Sequence, residues 1–256
     1  MPILRLTHVL LLLSVVVARA AVASPAEQYA AALVDWAAVL EQHVDDKGRV
    51  GFSALAADPA PLRRYVEAVA GYGPASAPGD FTDPDAVLAY HINTYNALAM
   101  YGVIDRGIPE GFLNFFQRTS FFRLRAVVID GEETSLHAYE NEVIRPLGEP
   151  RIHFAVNCMV KDCPRLPQRP FVAATLDKDL ERATREFFTH PRKLEIDHAS
   201  ETIRVSAILD FYTEDFAASG RARDLPAYIN RYIDSPLPAG YKIKFFDYDW
   251  RINAQP

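Results

Sequence analysis

The residues of this chain best suited to covalent chemistry lie together in residues 149–166, which hold both of its cysteines, Cys158 and Cys163. His153 and Asn157 precede them at alternate positions. Ile152, Phe154 and Val156 form an apolar alternation on the opposite parity. That alternation predicts a strand running into an Asn-Cys…Asp-Cys-Pro loop, and loops at strand ends are common places for a site. Thiol chemistry needs a thiolate, a base to form it and a group to orient the base. Cys158 is the candidate nucleophile and His153 the candidate base. Glu140 or Asp249 would orient the imidazole. Asn93, Asn96 and Asn157 are candidate donors to substrate or to an oxyanion. Five residues of extended strand span about 17 Å, so His153 and Cys158 meet only where the chain folds back after Val156.

The same residues carry two other readings. Two cysteines close together in an exported chain most often form a disulfide, here Cys158–Cys163. An oxidised Cys158 cannot attack, so this reading competes with the first unless the disulfide is reducible. His153, Cys158 and Cys163 also offer three soft metal donors. Zinc sites favour tighter pairs and a fourth ligand, so no metal and no other cofactor is expected.

The elements that must position these groups follow from periodicity. Residues 1–23 read as a secretory leader. Arg5 precedes the apolar run Val9 to Val17, and Ala21-Val22-Ala23 supplies an A-x-A cleavage site. The run is short for a membrane span. No later stretch is apolar enough to cross a bilayer, so a periplasmic or secreted protein without a span after leader cleavage is expected. The 256 residues are 50% hydrophobic and 23% charged, with net charge −6. That is globular composition, and the negative balance argues against nucleic acid, whose phosphates recruit basic surfaces.

Helices are predicted over residues 25–45, 60–71, 84–106, 136–144, 176–190, 206–212 and 227–233. The helix at 84–106 is apolar almost all round, which marks it as buried, yet it carries His91, Asn93 and Asn96. Strands are predicted at 50–52, in a hairpin around Asp130-Gly131, in a second hairpin at 194–197 and 202–205, and at 242–249. Glu140 and Arg145 read as an ion pair at a helix end. Phe112, Phe115, Phe116, Phe121 and Phe122 are either core or one wall of a groove. Helices followed by strand pairs mixed with helices fit an α+β fold with helices packed on an antiparallel sheet. The expected organisation is a leader at 1–23, an N-terminal helical segment at 24–79 and a domain over 80–254.

Four stretches together resemble the family known as domain of unknown function 547 (DUF547). They are Tyr90-His91-Ile92-Asn93-Thr94-Tyr95-Asn96-Ala97-Leu98, Ser135-Leu136-His137-Ala138-Tyr139-Glu140-Asn141 with Arg145, Pro150 to Cys158 through Asp162-Cys163-Pro164, and Tyr248-Asp249-Trp250 with Asn253. Phe211-Tyr212 with Asp215-Phe216 is similar to a further family pattern lying between the last two. His91 departs from the tryptophan common at its place. The resemblance implies a fold related to transglutaminases and papain-like cysteine hydrolases. That group carries its cysteine at the start of a buried helix, where this chain has Asn93 and Asn96. Two functions follow: a cysteine-dependent hydrolase or acyl transferase acting on peptide, amide or ester bonds, and a non-catalytic secreted module binding a small-molecule or peptide ligand, with Cys158–Cys163 structural.

Overall fold

The computed structural model describes residues 23–256. The leader expected at residues 1–23 lies, up to residue 22, outside them. Helix α1 (Pro25–His43) opens with a capping box, in which the Ser24 hydroxyl accepts from the Glu27 amide and the Glu27 carboxylate accepts from the Ser24 amide. The predicted strand at 50–52 is reduced to a bridge at Val50. Phe52 instead begins α2 (Phe52–Ala57), and α3 (Ala60–Gly71) follows behind Pro59. These helices pack on α4 (Pro84–Asp105), which is buried along nearly its whole length, as its unbroken apolar surface requires.

The aromatic stretch after α4 divides. Phe112 and Phe121 are buried and stacked on one another, whereas Phe115 and Phe116 are exposed. A short helix, α5 (Phe115–Arg118), continues as a π turn (Thr119–Arg123). Strands β1 (Ala126–Ile129) and β2 (Glu132–Ser135) form the first hairpin, with left-handed Asp130 and Gly131 at its tip. The single helix predicted at 136–144 is α6 (Leu136–Ala138), a second π turn (Tyr139–Ile144) and one 3-10 turn (Arg145–Leu147). Helix α7 (Leu176–Thr189) leads into a three-stranded sheet. In it, β3 (Leu194–Asp197) pairs antiparallel with β4 (Thr202–Val205), and β4 pairs parallel with β5 (Lys242–Phe245). The crossover between β4 and β5 holds α8 (Ile208–Phe211), α9 (Thr213–Phe216) and α10 (Leu225–Ile229).

The α+β class is as expected, with the second sheet mixed where an antiparallel one was expected. Two apolar clusters form the core. One joins α1–α4 to the first hairpin and residues 152–166, and the other lies beneath the three-stranded sheet. Phe154 belongs to the second, with its ring 4.7 Å from Phe187 and 5.6 Å from Phe216, centre to centre. Ile152, two residues earlier, belongs to the first. The segment around His153 is therefore the seam between them.

After β5, the last residues cross the molecule as a strap. Bridges pair Gly111 with Arg251, Val160 with Ile252 and Val50 with Ala254. A Cβ at Gly111 would lie 2.6 Å from the Trp250 carbonyl oxygen, so only glycine admits the strap there. That approach fixes Tyr248 and Trp250.

Candidate functional site

The predicted strand at 152–156 is a 3-10 turn, Pro150–Phe154. Every residue from Ile152 to Asn157 is buried, on both parities, so the apolar alternation did not mark a strand with one wet face. Among the described residues no strand pairs with this segment, and its backbone is met in another way. Glu149 caps the turn through the Arg151 amide. The Asn96 side chain then takes the place of a strand partner: its Nδ2 donates to the Ala155 carbonyl at 3.0 Å, and its Oδ1 accepts from the Asn157 amide at 2.7 Å. Asn93 does the same for Phe171, donating to its carbonyl at 2.7 Å and accepting from its amide at 3.0 Å, while also accepting from the Trp36 indole.

Asn157 holds the cysteine loop closed. Its Oδ1 accepts from the Met159 amide at 2.8 Å and its Nδ2 donates to the Pro164 carbonyl at 2.7 Å. Met159 is left-handed at φ 66°, which this side-chain bond helps to hold. Cys158 and Cys163 are joined as a disulfide, with their Cα atoms 6.4 Å apart. Asn93, Asn96 and Asn157, expected to bind substrate, have amides that bracket buried backbone, and none of them lines either of the two clefts described below.

His153 and Cys158 do border one cleft, of about 390 Å³. The 3-10 turn removes the strand distance that would have separated them. His153 does not bond either sulfur. Its Nε2 and Asp215 Oδ2 share a hydrogen bond of 2.7 Å, its ring stacks on Tyr212 at 4.0 Å between centres, and its Nδ1 is buried without a partner. Asp215 is also held by Arg145, through Nε at 2.7 Å and Nη2 at 2.8 Å. Burial alone would raise the Asp215 carboxyl, but the hydrogen bonds from His153 and Arg145 outweigh it and hold the group well below the usual carboxylate range. The carboxylate bonded to the His153 ring is thus Asp215. Neither Glu140 nor Asp249 takes that place; Asp249 pairs with Arg251, whose hydrogen bond is the main cause of its pKa falling to about 2. Arg145 bonds Asp215, Glu214 and Asn141, so the ion pair expected with Glu140 is replaced.

Glu140 sits on the second π turn, buried, and borders the cleft. Its Oε2 accepts from the Tyr95 hydroxyl at 2.9 Å and its Oε1 from the Tyr212 hydroxyl at 2.6 Å. Burial first, and then the neighbouring Glu140 charge, push both phenols upward, so both act as donors. The first π turn borders the same cleft through Thr119, Phe122 and Arg123. π turns are uncommon in helices and recur at functional sites; both of those among the described residues meet here. Tyr248, whose hydroxyl lies 3.8 Å from Cys158 Sγ and 3.5 Å from Cys163 Sγ, and Trp250 complete the wall.

A larger groove of about 1060 Å³ lies on the other side of the cysteine loop, with Cys163 and Pro164 bordering both spaces. Most of its charge is already matched. Arg192 and Lys193 pair with Asp162, Arg182 with Asp179, Arg165 with Glu186 and Arg251 with Asp249. The smaller cleft has the more chemically specific lining, and volume does not decide between the two.

Asp215, Tyr212 and Tyr95 are the functional candidates that residue-type reasoning missed. The signal for the first two was the stretch Phe211-Tyr212…Asp215-Phe216, which puts the phenol and the carboxylate three residues apart. Residues 80–188 match the family model described as protein of unknown function, DUF547. The matched segment runs from before α4 into α7, and includes Tyr95, Glu140, His153 and both cysteines. Tyr212, Asp215 and Tyr248 lie beyond it. No curated protein and no solved structure gives a match.

Proposed function

We propose that this is an exported binding protein whose 390 Å³ cleft takes a small molecule or a peptide group, with Cys158–Cys163 as its structural clamp. The observation that carries this reading is the meeting of both π turns at one aromatic cleft around the buried Glu140. Pockets of this kind, apolar with a few convergent polar groups, are the usual form of small-ligand sites. Export rests on the apolar leader at residues 1–23, and a disulfide belongs in the oxidising compartment to which such a leader directs a chain.

The clamp closes a small ring. Chain-entropy arithmetic for a ring of this size gives about 2 kcal/mol of stabilisation. Cys158→Ser should lower stability by about that much, and the unreduced protein should weigh two protons less than the reduced one. Ligand entry is read through Trp250 fluorescence, because the other tryptophan, Trp36, is fully buried away from the cleft. A turnover that requires Cys158 would remove the binding-protein reading.

A second reading, cysteine-dependent hydrolysis or acyl transfer after reduction of the disulfide, has one observation in its favour. Cys158 is half-buried on the same cleft as His153, whose Nδ1 has no partner. Iodoacetamide labelling with and without reductant tests it. If neither cysteine reacts under either condition, this reading ends.

A further inference from the structure

We infer that the cleft binds an organic cation, a protonated or quaternary amine, with Glu140 as its counter-ion; this rests on the binding-protein reading above. Two independent features point the same way. The first is the charge of Glu140. It is buried at the cleft, and among the described residues no Lys, Arg or His nitrogen lies within ion-pair distance of it. Arg145, five positions on, is turned to Asp215 and Glu214 instead. The two phenols fill one acceptor site on each carboxylate oxygen and cancel none of its charge. A buried charge is costly unless it is paired. Elsewhere in the fold the rule is kept: buried Asp179 and Asp162 both have cations against them.

The second feature is the wall. Phe211, Tyr248 and Trp250 form one aromatic surface, with Tyr248 and Trp250 centres 4.7 Å apart and Phe211 5.4 Å from Tyr248. Phe122 adds an edge 6.2 Å from Trp250. Aromatic faces attract cations through the ring quadrupole, and cages of such faces are the common receptor for ammonium groups. The wall already holds one cation at its edge: the Arg118 guanidinium lies 4.9 Å from the centre of the Trp250 ring. Arg118 and Arg123 also set a limit on the ligand. They disfavour a second positive charge in the cleft, so the ligand is a monocation whose far end is neutral or anionic.

The test uses the oxidised full chain and choline as probe, followed by calorimetry and by Trp250 fluorescence. The neutral control is 3,3-dimethylbutan-1-ol, which has the shape of choline without the charge. Choline should bind at least about tenfold tighter than the control, through the coulombic and cation–π attraction that the neutral analogue lacks. Glu140→Gln keeps an acceptor for a tyrosine hydroxyl and loses the charge, and should weaken choline by a similar factor. Phe211→Leu, at an exposed position where folding is not at stake, should weaken choline about two- to fivefold and the control less. Equal binding of choline and its neutral analogue overturns the inference, as does unchanged choline binding by both variants, or no choline binding at all. The binding-protein reading fails separately, by a Cys158-dependent turnover. It survives loss of the cation inference if neutral or anionic ligands still perturb Trp250.

Discussion

Replacing Asp215 by alanine should destabilise the protein by about 2–4 kcal/mol at neutral pH, taking the unmet His153 nitrogens and the lost arginine pair together. The figure follows from what the carboxylate touches. The His153 side chain is fully buried, and its Nδ1 already lacks a partner. Without Asp215 the Nε2 is left bare as well, and an unmet buried polar group costs about 1–3 kcal/mol. Arg145 loses its two-pronged contact but keeps Asn141 and the exposed Glu214, so its share is about 1 kcal/mol, as for a pair near the surface. The pH dependence gives a second check. The folded carboxyl is held below its ordinary value, with His153 and Arg145 overcoming the opposing effect of burial. A group with a depressed folded pKa contributes stability above its unfolded pKa, about 3.9, and loses it as pH falls through the folded value. The gap between wild type and Asp215→Ala should thus be full at pH 7 and narrow steadily below about pH 4. Urea unfolding of both proteins between pH 7 and pH 2 measures it. A gap under about 1 kcal/mol at pH 7, or one that does not narrow toward pH 2, would refute the network.

Two further outcomes follow from groups that support the site. Asn96→Ala leaves the Ala155 carbonyl and the Asn157 amide without their partner in a buried seam, and should cost about 2–5 kcal/mol in urea unfolding. Asn96→Asp should not rescue it, because an oxygen would then face the Ala155 carbonyl; full stability in either variant would show that the bracket is dispensable. His91, buried against Tyr139 with its Nδ1 2.6 Å from the hydroxyl, is lowered by burial from 6.5 to about 4. Between those values the unfolded chain takes up a proton that the folded chain refuses, so stability falls as pH drops from 6.5 to 4 by about 3 kcal/mol, at 1.36 kcal/mol per pH unit. His91→Phe should flatten this part of the pH profile at the expense of a pH-independent loss at Tyr139; an unchanged slope would count against a neutral buried His91.

Elements with local punctuation were legible in the sequence. Helix α3 follows from Pro59 and Pro61 near its start and from its apolar stripe, and the first hairpin from Asp130-Gly131. The burial of α4 followed from apolar residues on every face. The seam at 152–157 was not legible, because it is buried on both sides without a neighbouring strand, and period-2 alternation has meaning only where one face is wet. The helix at 136–144 carried correct periodicity, but nothing in its composition announces the extra residue of a π turn. Residue type alone gathered His153, Cys158 and Glu140 to one cleft. It did not point to Asp215 as the carboxylate bonded to His153, since Asp215 reaches the ring only through the packing of α9 across the seam.

Glu140 ties these observations to one physical problem. Three remote segments build its surroundings: α4 brings Tyr95, the crossover between β4 and β5 brings Tyr212, and the strap brings Tyr248 and Trp250. Tyr212 is itself fixed from behind by the His153 ring and by the Arg145 guanidinium, 5.1 Å from its centre. Both of those groups are held by Asp215. The network aims hydroxyl donors at a carboxylate and turns Arg145 away from it. A fold selected only for stability would let Arg145 neutralise Glu140, because an uncompensated buried charge is among the more expensive features a core can hold. Here the charge stands at a cleft, where a cation can reach it and relieve that cost. A ligand that binds only the folded chain stabilises it by mass action. The melting temperature should therefore rise with choline in wild type and rise clearly less in Glu140→Gln at the same choline concentration. Equal rises in the two proteins would mean that the Glu140 charge is balanced by the protein itself.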